Sequence, residues 1–178
     1  LGLGCAVGLG LFVALNFLYV AGAELVLGRD FLAPIARNGG NIGPLQTLFL
    51  LSTFVCMLGA VGLTVYVVHK ANPLSVIGSV ARAARDFRVA IVALLPIILG
   101  VMAIQFLFES PQLNVDLGFW VMLLPLAIVL VLVQVTAEEV VFRGYLQSQV
   151  AALGLPPVMW IMIPSILFGI GHYNPEAV

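Results

Sequence analysis

The chain alternates long apolar stretches with short polar connections. Four stretches are long enough for a membrane span: Leu3–Val26, Leu45–Val68, Val89–Phe108 and Leu117–Ala137. A helical span needs about 20 predominantly apolar residues. Leu3–Val26 is too long for the apolar part of a signal peptide and is predicted to span. A fifth stretch, Val158–Gly171, is short for a complete span. It is either tilted and buried among other helices or completed by sequence beyond it. Pro96, Pro125 and Pro164 fall inside apolar stretches and predict kinks, because a membrane helix tolerates proline when neighbours satisfy the freed carbonyls. Gly154-Leu155-Pro156-Pro157 is a strong helix stop. The expectation is an all-α polytopic bundle of about five membrane helices, forming one transmembrane domain over residues 1–178.

The connections set an orientation. Residues 69–88 carry Lys70, Arg82, Arg85 and Arg88, whereas residues 109–116 carry Glu109 and Asp116 and no basic residue. The positive-inside bias places 69–88 in the cytoplasm, with the N-terminus and the turn after the glutamates on the same side. Within 74–89, Leu74, Ile77, Val80, Ala81, Ala84 and Phe87 recur at helical spacing opposite the arginines. That pattern predicts a short amphipathic helix on the membrane surface, with a solvated loop as the alternative. Composition agrees with a membrane protein: 62% of residues are hydrophobic and 8% charged, against roughly 45–50% and about 25% in soluble domains. A net charge of −1 gives no reason to expect a nucleic-acid partner. Cys5 and Cys56 lie in apolar stretches and read as buried small residues.

Against this background the segment Glu138-Glu139-Val140-Val141-Phe142-Arg143 stands out. Ionisable groups within or at the edge of a span are costly and usually mark a pathway or a site. Residues four apart on a helix share a face, so Glu139 and Arg143 are placed to pair. Glu138 falls on the face of Phe142 and Tyr145 with no local cation, which makes it the better general-base candidate. Downstream, Phe168 and His172 also stand four apart. If the chain folds back about Leu155, Glu138 lies 17 residues before the turn and His172 17 after. At about 1.5 Å per residue both come to roughly 25 Å from it. Arg143 then lies near residues 165–167. Two bland readings stay open, an interfacial ion cluster at 138–143 and an end-of-span histidine at 172. His69, beside Lys70, reads as interfacial. Asn16 and Glu24 either line a polar cavity or mark a snorkelling helix end. Trp120 and Trp160 read as interfacial anchors. The chain has no H-E-x-x-H zinc motif, no glycine-flanked serine nucleophile and no intramembrane aspartate pair. One histidine and two glutamates make a possible metal set, but a water activated by carboxylate needs fewer ligands. No metal or other cofactor is expected.

The pairing of Glu138-Glu139-x-x-x-Arg143 with Phe168-x-x-x-His172 resembles the first two motifs of the CPBP family, the CAAX proteases and bacteriocin-processing enzymes of the Abi group. These are multi-span glutamic intramembrane proteases. The resemblance is best over residues 118–174. It implies a helical bundle with its catalytic groups in a cavity within the membrane, in which Glu138 activates water, His172 holds and polarises it, and Glu139 and Arg143 support the site. Phe142 and Phe168, on the faces of Glu138 and His172, are the candidate substrate contacts. The implied partners are membrane lipid and a peptide or protein substrate, prenylated in some members, and the implied location is the cell membrane of a prokaryote. The family's third motif, an oxyanion-stabilising histidine followed four residues later by asparagine or a similar residue, is not found after His172, and Asn174 and Glu176 do not replace it. The sequence, which opens on Leu1 rather than methionine, is therefore expected to be a piece with an incomplete site. Two other functions compete: a non-proteolytic membrane protein of the same architecture, and a cation or proton transporter using the carboxylates.

Overall fold

In the computed structural model, residues 2–37, 42–109 and 115–173 are described. They are predominantly helical, with no strand among them. In chain order the elements are α1 (Gly2–Leu27), α2 (Arg29–Ala36), α3 (Pro44–Ser52), α4 (Phe54–His69), a 3-10 turn (Pro73–Val76), α5 (Val80–Phe108) and α6 (Leu117–Glu139). Next come a π-helical segment (Val140–Leu146), α7 (Gln147–Ala151) and α8 (Pro157–Gly171). Four helical stretches are long and apolar enough to cross a membrane: Gly2–Leu27, Pro44–His69, Pro73–Phe108 and Leu117–Ala151. The chain is an integral membrane protein. Its outward side chains agree: Phe106, Leu107 and Phe108 on α5 and Val121 and Met122 on α6 are more than half exposed. Such faces belong against lipid or other helices rather than water.

The chain divides into two compact units. One comprises residues 77–125, with α5 and the first turns of α6. The other comprises the residues up to Val76 and from Leu126 onward. In this larger unit α1 packs on α4 through small residues. Gly4 and Gly8, one turn apart on α1, face His69 and Thr64 of α4. A Cβ on Gly8 would sit 3.2 Å from Thr64 Oγ1. Small residues at this spacing let two membrane helices approach closely enough for dispersion to hold them, since lipid supplies little hydrophobic drive between helices. Thr64 is fully buried, and its hydroxyl donates back to Ala60 O at 2.7 Å. Val61 and Val65 of α4 continue into a core with Val140 and Tyr145 of the π segment.

One expectation about the elements changes. Residues 74–89 do not form a separate surface helix. The 3-10 turn ends at Val76, Gly78 takes a φ of 72°, and Ser79 caps a single helix of 29 residues. No helix breaker separates Arg88 from Val89, so the arginine stretch is the opening of α5 itself. As the stop at Gly154–Pro157 led one to expect, the helix of the glutamates runs on past Ala137 through the π segment to Ala151, 35 residues in all. At about 1.5 Å per residue that is roughly 50 Å, well beyond a hydrocarbon core of about 30 Å. Polarity at Glu138 ends the apolar pattern, but no residue there breaks the backbone hydrogen bonds. The prolines inside α5, α6 and α8 do not end those helices.

The turn between α7 and α8 lies where glycine and proline place it. Gly154 has a φ of 71°, a conformation that costs other residues strain, and Pro157 occupies the first turn of α8. α8 then packs back on α7 and the π segment. Its 15 residues extend roughly 22 Å, enough to bring its far end level with the glutamates.

Candidate active site

The π segment sets the geometry. Its closing hydrogen bond runs from Gln147 N–H to Phe142 O, five residues back rather than four. The wider turn rotates the residues after it relative to those before. Tyr145 therefore does not share a face with Glu138, as a regular helix would require. It turns toward α4, where its hydroxyl meets His69 Nε2 at 3.0 Å and its ring lies edge-on to the imidazole. His69 is thus a cross-helix partner as well as a residue at a span end. Gly144 meets the 3-10 turn so closely that a Cβ would lie 2.6 Å from Val76 O.

Before the π segment, in the last turn of α6, the two glutamates diverge. Glu139 Oε2 accepts from Arg143 Nη1 at 3.0 Å. This pair is open, with the side chains 50% and 72% exposed. Glu138 is the sheltered carboxylate, its side chain 15% exposed. Its Oε1 accepts from Gln134 Nε2 at 3.2 Å and lies 3.7 Å from His172 Nε2. The arms of the hairpin thus bring together two groups 34 positions apart.

His172, just past the end of α8, is held on two sides. Its Nδ1 lies 2.9 Å from Phe168 O. A carbonyl only accepts, so Nδ1 carries the proton, and in the neutral ring Nε2 presents its lone pair toward Glu138. The Phe168 ring lies 4.1 Å from the imidazole, tilted by 32°, and meets Phe142 edge-on at 5.2 Å. A separation of 3.7 Å is too long for a direct hydrogen bond and suits one water donating to both groups. A pocket of about 430 Å³ opens here between the arms, lined by both glutamates, Phe142, Arg143 and Gln147 on one side and by Ile161, Pro164, Ser165 and Phe168 on the other.

Sequence reasoning missed Gln134. The signal was a polar residue one turn before Glu138 in an otherwise apolar run. Asn16 and Glu24 line no described cavity: Asn16 Nδ2 donates to Phe12 O, and Glu24 pairs with Arg29. No three His, Cys, Asp or Glu side chains converge as a metal-ligand set among the described residues, since Glu139 is drawn away to Arg143. Asn174 and Glu176 lie outside the described residues.

No curated protein and no solved structure matches the chain. The family model described as Rce1-like, type II CAAX prenyl endopeptidase, matches residues 120–178, the third of the chain that holds this hairpin, in agreement with the CPBP resemblance of its two motifs and with a protease.

Proposed function

We propose that the chain is the water-activating part of an intramembrane endopeptidase of the CAAX type. The observation that carries this reading is the approach of Glu138 Oε1 to His172 Nε2, 3.7 Å apart beside a pocket in an otherwise apolar helix pair. A water between them donates one hydrogen to the carboxylate and the other to the imidazole. Both acceptors then draw electron density onto its oxygen. As that oxygen attacks the carbonyl carbon of the scissile peptide, Glu138 takes the proton. The tetrahedral intermediate collapses, the C–N bond breaks, and Glu138 returns the proton to the leaving amine. Phe168 keeps the imidazole in register through its ring and its carbonyl. Glu139 and Arg143, at the rim of the pocket, support the helix turn and its charge balance. The substrate is a peptide or protein reached within the membrane, and prenylated proteins are the class the family description suggests.

The test uses the full-length protein reconstituted in liposomes, with a prenylated peptide and a leader peptide as substrates. Glu138→Gln and His172→Ala each lose at least the roughly 10²–10⁴-fold that a positioned general base contributes, while inserting and folding as the unmutated protein does. Gln keeps the shape of Glu138 but takes no proton from water. Full cleavage by Glu138→Gln overturns the glutamate mechanism. No cleavage of either peptide by the unmutated protein favours a non-proteolytic role for the same fold.

A further inference from the structure

The polar side chains of these membrane helices mostly satisfy themselves on their own backbone. Asn16 donates to Phe12 O, Thr64 to Ala60 O, Thr136 to Leu132 O and Ser165 to Ile161 O. That is the inexpensive solution for a hydroxyl or amide in an apolar setting. Gln134 departs from it. It is the lone polar residue between Leu126 and Val135, and its amide reaches one turn forward to a carboxylate oxygen, Glu138 Oε1, at 3.2 Å. That same oxygen faces His172. The other charged groups nearby are occupied with each other, Arg143 with Glu139. Among the described residues, Gln134 is thus the hydrogen-bond donor of the sheltered carboxylate.

Resting on the assignment of Glu138 as the base, we propose that Gln134 is its positioning residue. A carboxylate on a freely rotating side chain samples several rotamers, of which few direct an oxygen at the space before His172. The amide N–H fixes Oε1 there. Gln134 touches neither the water nor the peptide in this scheme, so its loss acts on kcat rather than on substrate affinity.

The experiment is steady-state kinetics of the full-length, reconstituted protein on whichever of the two peptides the unmutated protein cleaves. Gln134→Met keeps length and flexibility without the donor. Gln134→Asn keeps the amide but is one methylene too short to reach. Each is expected to lower kcat roughly 10- to 100-fold, the range for losing a hydrogen bond to a charged group, with KM within about twofold. Thr136→Val, two positions along the same helix and bonded to its own backbone, leaves both constants unchanged. Unchanged kcat in either Gln134 variant overturns the inference, and so does a rise in KM alone. If Glu138→Gln is inactive in the same assay, only the role of Gln134 falls. If Glu138→Gln is active, the base assignment falls first and takes this inference with it.

Discussion

Two neighbouring carboxylates on one helix have different surroundings because they point about 100° apart. Glu139 reaches Arg143 in an open ion pair, and exposed pairs of this kind are worth roughly 0.3–0.5 kcal/mol. Glu138 is sheltered, with Gln134 and His172 at hand. Substitutions should separate them: Glu139→Gln retains more than roughly a tenth of the activity, while Glu138→Gln falls by two or more orders of magnitude. Equal losses would show that the two act as one unit. The imidazole is held by Phe168. Phe168→Ala keeps the carbonyl but removes the ring, and aromatic contacts are worth about 0.5–1.5 kcal/mol beyond buried area. It is expected to lower kcat roughly tenfold. A wild-type kcat in that variant would assign the ring to substrate contact or packing alone.

At the scale of elements, the π segment is the decisive departure from a regular helix. Besides its core packing and α8, two close contacts mark it: Gly144 against the backbone of Val76, and Tyr145 against His69. Gly144→Ala places a methyl where a carbonyl oxygen stands. Backbone must shift, and the expected destabilisation is about 1–3 kcal/mol, read as a lower Tm in detergent. Tyr145→Phe keeps the ring and removes one hydrogen bond, which between membrane helices costs roughly 0.6 kcal/mol on average. The two variants should therefore rank clearly. A Gly144→Ala protein as stable as the unmutated one would mean that the 3-10 turn yields without cost. The helix–helix contact at Gly4 and Gly8 was open to reading as a small-residue spacing. It went unread because glycines are frequent in this chain, and spacing does not say which pair meets a partner.

For the whole molecule, the distribution of charge predicts how the helices are oriented across the bilayer. Arg82, Arg85 and Arg88 open α5, and acidic residues flank its far end. With Cys5 and Cys56 replaced by alanine, a cysteine at Ser79 is expected to label from the cytoplasmic side and one at Glu109 from the opposite side. The reverse pattern would overturn that orientation. Each position labels independently, so one span that fails to cross would show as both cysteines labelling from the same side.

The sequence determined by itself what depends on composition and local spacing. Apolar runs fix where helices cross lipid, because the backbone has no other way to satisfy its hydrogen bonds there. Gly154 and Pro157 fix the hairpin turn, because one accepts positive φ and the other starts a helix. Equal offsets from that turn are enough to bring Glu138 and His172 level, and helical phase is enough to pair Glu139 with Arg143. The tertiary structure decided what depends on a partner. Whether a helix widens into a π turn rests on what grips it, here Val76 and His69, from elements 68 and 76 positions away from Gly144 and Tyr145. That widening turned Tyr145 toward α4 and left Glu138 toward α8. The absence of a breaker between Arg88 and Val89 let α5 take in the arginine stretch, because backbone hydrogen bonding does not stop where side-chain polarity does. The contact of Gln134 belongs with the local features instead: it stands one turn before Glu138 on the same helix, so helical phase places its amide within reach.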